Sequence, residues 1–227
     1  MAIQSLVDKT DISELVRDEI AAILLTETTS QQALALAALP TPKDADLWRL
    51  RIYTERTNPW EDFLADPDEA SAGASGAPIV NVAFDNSRTD KAGSNVHERQ
   101  KTIATYHVDC YGYGVSADNG AGHVAGDARA ALECQRAVRL VRNWLMASIY
   151  TRLNMTGVVW DRWHEGTQTF LPQLDGRTVQ NVVAARFTLT VTFSEFSPQY
   201  EPELLELISV TTKRAETGQI FFTADFE

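Results

Sequence analysis

VQNVVAARFTLTVTFSEF, residues 179–196, decides how the rest of the chain is read. Phe187, Leu189, Val191 and Phe193 alternate with Arg186, Thr188, Thr190, Thr192 and Ser194. That two-residue period belongs to a strand with one dry face and one wet face. A dry strand face needs a cover, and residues 127–153 offer one. There Ala131, Leu132, Val138, Val141, Leu145, Ile149 and Leu153 form a helical stripe interrupted by Gln135, which predicts the longest helix of the chain. The expected fold class is therefore α+β: a mixed, largely antiparallel sheet with an N-terminal helix and one long helix packed on a face.

Working outward, TDISELVRDEIAAILL reads as the start of the N-terminal helix. Asp11 is placed to cap it, Glu14 completes a capping box, and Ile12, Leu15, Val16, Ile20, Ile23 and Leu24 share a face. QQALALAALPTP is a second helix-prone piece, stopped by Pro40 and Pro42. LWRLRIYTER alternates like a half-buried strand, as do PIVNVAFDN and TIATYHVDCYGYG. The polar SRTDKAGSNVHERQK between the last two reads as a wide loop. GVVWDRW predicts a short strand followed by a loop, and SPQYEPELLELISV resumes after its prolines as a short helix or a strand. Residues 58–77 are acidic, then small and glycine-rich, which predicts an exposed, mobile insertion in a single domain spanning 1–227, with a C-terminal extension at 213–227.

Composition excludes more than it selects. A net charge of −11 opposes a tight, non-specific grip on nucleic acid, because that grip comes from Lys and Arg displacing counterions. It leaves room for DNA that only passes by a like-charged wall. The two cysteines, Cys110 and Cys134, lack the spacing of a zinc site and are compatible with a reducing cytoplasm. Neither a signal-peptide pattern nor a membrane-length apolar run is present, so no membrane association is expected.

YGYGVSADNGAGHVAGDARAAL, residues 111–132, carries a glycine pattern reminiscent of a phosphate-cradling loop. In a dinucleotide fingerprint the glycines open the helix directly. Here about a dozen residues separate Gly114 from a helix start near Asp127, and no GK[ST] follows. The reading is a long strand-to-helix connection whose glycines give backbone freedom, with no cofactor. His107 and Asp109 share a strand face while Cys110 points away, which describes a polar strand better than a catalytic pair. The carboxylates Glu61, Asp62, Asp66, Asp68 and Glu69 lack the DxDxDG spacing of a calcium loop and read as solvated. No catalytic, cofactor-binding or metal-ligating residue is assigned, and the chain is not expected to be an enzyme.

Two features point instead to assembly. Arg129, Arg136, Arg139, Arg142 and Arg152 against Asp127 and Glu133 give the long helix +3, leaving −14 on the rest of the chain. That is either a solvated helix face or a basic face for the acidic surface of an identical neighbour. The C-terminus ends in alternating Ile220, Phe222, Ala224 and Phe226, either an edge strand of its own sheet or a strand offered to another subunit. The candidate interface residues are Arg129, Arg136, Arg139, Ile220, Phe222 and Phe226.

The order of elements, with TYHVDCYGYG feeding DARAALECQRAVRLVRNWLMASIY and then VVAARFTLTVTFSEF, resembles the tail terminator (tail completion) proteins of tailed bacteriophages over residues 12–55 and 78–196. The resemblance implies a structural virion protein without an active site, in which a mixed sheet carries helices on one face. Such a protein forms a ring, usually hexameric, on the last ring of tail tube protein. It halts tube growth and presents a surface to the head-tail connector, while DNA passes through the lumen without specific binding. It would be assembled in the host cytoplasm and reside in the neck region of the virion. Another virion part, a head-tail connector or baseplate component, shares the same composition, and a small enzyme would need convergent polar groups in a pocket.

Overall fold

The computed structural model describes residues 9–65, 76–95, 99–118, 122–174, 177–179, 181–196, 208–213 and 220–226. Its fold is α+β, as the alternation at 182–196 implies. Helix α1 (Ile12–Leu36) precedes strand β1 (Arg51–Thr54), a short helix α2 (Asp62–Ala65), and the paired strands β2 (Ile79–Asn95) and β3 (Arg99–Tyr113). Two short strands, β4 (Ala117–Asp118) and β5 (His123–Val124), lead into helix α3 (Gly126–Leu145). Then come β6 (Val159–Phe170), a small hairpin of β7 (Gln173–Leu174) and β8 (Arg177–Thr178), and β9 (Val182–Phe196). Strands β10 (Ile208–Lys213) and β11 (Ile220–Phe226) complete the order.

The main sheet has five strands in the order β1-β2-β3-β9-β6. Only β1 and β2 run parallel; the other neighbours are antiparallel. β3 and β9 pair without a register break from Arg99↔Phe196 to Tyr113↔Val182, forming the rigid centre. Phe187, Leu189, Val191 and Phe193 lie beside Ala104, Tyr106, Val108 and Cys110 in the core, under α1 and α3. α1 is anchored at its start, where the Asp11 carboxylate accepts the Ser13 N–H (2.9 Å) and the Tyr106 hydroxyl donates to the Ser13 carbonyl (3.0 Å).

Several sequence expectations change. The two N-terminal apolar pieces join in one 25-residue helix, which exceeds the 20 residues of α3. α3 ends at Leu145, followed by a 3-10 turn at Ser148–Tyr150 and two left-handed residues, Leu153 and Asn154. Its buried stripe is Gly126, Ala130, Cys134, Ala137, Val141, Trp144 and Leu145, whereas Leu132 and Ile149 are exposed. The buried face is thus chosen by small size close to the sheet, with bulk only toward the helix end. The polar stretch after PIVNVAFDN continues β2 and β3 as a long hairpin with register shifts after Phe84 and Asp90, and β6 extends through HEGTQTF. Within 58–77, Trp60 and Phe63 are buried in a second cluster with Ile79, Tyr111, Val182 and Ala184, on the face opposite the helices. Residues 66–75, including Asp66, Asp68 and Glu69, lie outside the described residues. On β9's expected wet face, Thr190, Thr192 and Ser194 are at most 4% exposed. Ser194 accepts the Trp160 indole N–H at 2.6 Å.

Candidate functional site

Gly112 and Gly114 sit where α3 crosses β3, and neither has a positive φ. A Cβ on Gly112 would stand 2.2 Å from the Ala130 carbonyl oxygen and 2.4 Å from the Cys134 nitrogen. A Cβ on Gly114 would stand 2.3 Å from the Gly126 carbonyl oxygen. These glycines therefore serve close helix-sheet approach, not the backbone freedom expected from the sequence. The helix start is closed by its own chain: Ser116 Oγ accepts the Gly126 N–H (2.9 Å), and the Ala128 N–H is taken by Asp127 (2.8 Å). A cleft of about 210 Å³ beside it is lined by Asp46, Ala77, Tyr113, Gly114, Arg129 and Glu133, among others. Arg129 spans its rim by donating to the Val115 carbonyl (3.2 Å).

The sheet face away from the helices carries the polar pairs that the sequence singled out. Arg186 grips Asp109 through two bonds of 2.8 Å, and that bonding raises the guanidinium above its ordinary value. Burial, with Arg186 close by, pushes His107 down, so the imidazole is neutral at pH 7, with Nε2 3.7 Å from Asp85. The two cysteines are packing groups. Cys134 Sγ donates to the Cys110 carbonyl (3.3 Å), burial pushes the Cys134 thiol up to about 12, and Cys110 is raised well above its usual value. Neither is a thiolate nucleophile at neutral pH. Among the described residues, no three His, Cys, Asp or Glu side chains gather closely enough to hold a metal ion, and no helix is long and apolar enough to cross a membrane.

Asp62, read from the sequence as a solvated carboxylate, is structurally engaged. The Arg56 guanidinium, donating at 2.8 and 2.9 Å, and the Tyr53 hydroxyl at 2.7 Å hold its carboxyl below the usual range. A depressed carboxyl contributes stability above its unfolded pKa and loses it as pH falls through the folded value. Asp62→Asn is accordingly expected to cost about 1 kcal/mol at pH 7. Thermal melts of the two proteins should converge as the pH drops below the carboxylate range; a constant gap would show that the loss is not ionic.

The candidate interface residues lie on two different elements, α3 and β11. Arg129, Arg136 and Arg139 are exposed on α3, with Arg136 paired to Glu133 in the same helix. Ile220, Phe222 and Phe226 belong to β11, which pairs antiparallel with β10 in a separate two-stranded sheet. β11 is therefore not an edge strand of the five-stranded sheet. The register aligns Ile208 with Phe226, Val210 with Ala224 and Thr212 with Phe222. Sequence reading missed the pairing because β10 lies in a stretch that reads equally as helix or strand.

One further surface escaped the sequence. β1 is an edge of the main sheet, and beside it Ala21, Ala22 and Leu25 of α1 with Ile52, Tyr53, Thr54 and Arg56 line an open groove of about 440 Å³. Leu25 is 57% exposed there. The chain matches no protein-family model, and no curated protein is significantly similar to it.

Proposed function

We propose that this chain is a structural subunit that closes into a homo-oligomeric ring, a hexamer on the resemblance stated above, at the head-proximal end of a phage tail tube. There it ends tube growth and joins the tail to the head-tail connector. The observation that carries the reading is the C-terminal pair β10-β11, which among the described residues forms a two-stranded sheet with no strand pairing to the main sheet. An isolated two-stranded hairpin is at best marginally stable in water, and a surface on a neighbouring copy would supply the packing it needs. The exposed arginines of α3 supply an orienting charge toward the acidic remainder of a neighbouring copy. The net charge of −11 suits a wall along which DNA slides without sticking.

Electron microscopy of the purified protein, with its mass from light scattering, tests this directly. Closed rings with a central hole wide enough for duplex DNA are expected. Monomers throughout the accessible concentration range would remove the ring reading.

A further inference from the structure

We propose that the helix layers of two copies pack face to face about a two-fold axis, the outer face of α1 in one copy lying on the outer face of α3 in the other, and the reverse at the same time. The inference goes beyond the ring reading: it names the surface that receives the α3 arginines, and it holds for a pair of single chains as for a pair of rings.

α1 and α3 bury their inner sides in one cluster on one face of the main sheet, so their outer sides both point away from that sheet. On α1, Val16, Ile20, Ile23 and Leu24 are buried. At 3.6 residues per turn, Leu15, Asp18, Ala22 and Leu25 fall on the opposite side. All four are exposed, Leu15 by 46% and Leu25 by 57%. On α3, Ala130, Cys134, Ala137 and Val141 are buried, while Leu132, Arg139 and Arg142, with Met146 just beyond the helix end, are exposed on the far side. A surface helix ordinarily keeps its apolar residues to one side. α1 carries leucines on both, which marks a second packing surface, and Ala22 and Leu25 continue it into the groove beside β1.

Charge identifies the occupant as another copy. Glu14, Asp18, Glu19 and Glu27 against Arg17 leave α1 at −3, whereas Arg129, Arg136, Arg139 and Arg142 against Asp127 and Glu133 leave α3 at +2. Among the described residues no ion pair takes up Glu14, Arg139 or Arg142. Pairing α1 with α1, or α3 with α3, sets like charges together; pairing α1 with α3 sets opposite ones together. The two outer faces of one chain cannot meet each other, because both point away from the same sheet, but a two-fold partner brings each onto its opposite, twice. An antiparallel alignment puts Arg139 on Asp18, Arg142 beside Glu14 and Leu132 on Leu25, since seven residues separate Leu132 from Arg139 and Asp18 from Leu25. Helices of 25 and 20 residues are about 37 and 30 Å long and about 10 Å wide, so each copy offers roughly 670 Å² of flat helical surface, near the about 800 Å² per partner of a stable complex. A self-complementary patch of this kind is what a two-fold contact requires.

Two full-length variants at exposed positions test the pairing. Glu14→Lys/Asp18→Lys reverses the α1 face and Arg139→Glu/Arg142→Glu reverses the α3 face; circular dichroism checks that both keep the natural fold. By light scattering the natural chain should have twice the mass of either variant, as a dimer against a monomer or as two rings against one, with the dissociation constant raised at least about 100-fold. Mixed one to one, the variants should regain the natural mass, since each then meets a face of opposite sign at both contacts. A chain with all four changes should do so alone, its signs exchanged on both helices. A natural chain with the same mass as its variants would overturn the pairing, and so would variants that separate but do not recombine. Should one variant misfold, raising the salt concentration takes its place: the natural pair should dissociate, and a mass indifferent to salt overturns the charge assignment. Micrographs decide the ring reading separately, because single rings of equal mass in the natural chain and both variants sink this contact alone.

Discussion

Leu189→Asp should leave the domain unfolded at room temperature. Leu189 is fully buried at the middle of β9, with Tyr106 of β3 directly opposite on one side and His164 of β6 on the other. The aspartate would sit among the apolar side chains of the cluster that joins both long helices to the sheet. Losing the leucine from the core costs about 2–5 kcal/mol, and an unpaired carboxylate in that environment adds several more unless it stays protonated. Against a total stability of about 5–15 kcal/mol for an ordinary domain, this removes most or all of it. Thr188→Asp, on the opposite strand face beside His107, serves as the comparison and should keep a cooperative melt. A natural melting temperature for Leu189→Asp would mean that the dry face of β9 had been assigned to the wrong side.

The same strand shows what the sequence could reveal. Alternation at 182–196 identified the strand and its core face, because the apolar side chains all go to the face under the helices, although Thr190, Thr192 and Ser194 are buried on the other face as well. Asp11 as the helix cap was legible for a similar reason, since one side chain performs a local task. The stripe of α3 was not, because its sheet contact is made by Gly126, Ala130, Cys134 and Ala137, which carry little hydrophobicity to read. Residues 164–170, residues 87–95 of β2 and residues 99–101 of β3 read as loops because exposed strands need no alternation. Trp60 and Phe63 were concealed by acidic neighbours, although two aromatics in a polar stretch were a signal that something there is buried. For the candidate interface, the sequence displayed the apolar period of 220–226 but not its partner β10. The groove at β1 was not legible at all, because it exists only where α1 meets a sheet edge.

Gly112→Ala is expected to destabilise the protein by 3 kcal/mol or more, the upper end of the ~1–3 kcal/mol typical of overpacking. The added methyl would meet the Ala130 carbonyl oxygen at 2.2 Å and the Cys134 nitrogen at 2.4 Å, both main-chain atoms of α3. A side chain could rotate away; a helix backbone can yield only if α3 lifts from β3, which opens the contact along Ala130, Cys134 and Ala137. Cys134→Ala should therefore fail to rescue Gly112→Ala, since trimming that side chain leaves the clashing nitrogen in place. Gly122→Ala is the informative contrast: nothing lies within 4 Å of its Cβ, and its φ of +129° makes the cost one of backbone strain alone. That cost is about 1–2 kcal/mol. Chemical denaturation of the three variants, with and without added nucleotide, separates packing from phosphate binding. In a nucleotide fold the glycine turn leaves room for pyrophosphate at the helix start, whereas here the helix backbone itself occupies the space over Gly112 and Gly114. The expected loss in Gly112→Ala is consequently the same whether nucleotide is present or not. Wild-type stability in that variant, or its recovery on adding nucleotide, would show that α3 does not press on β3 in this way.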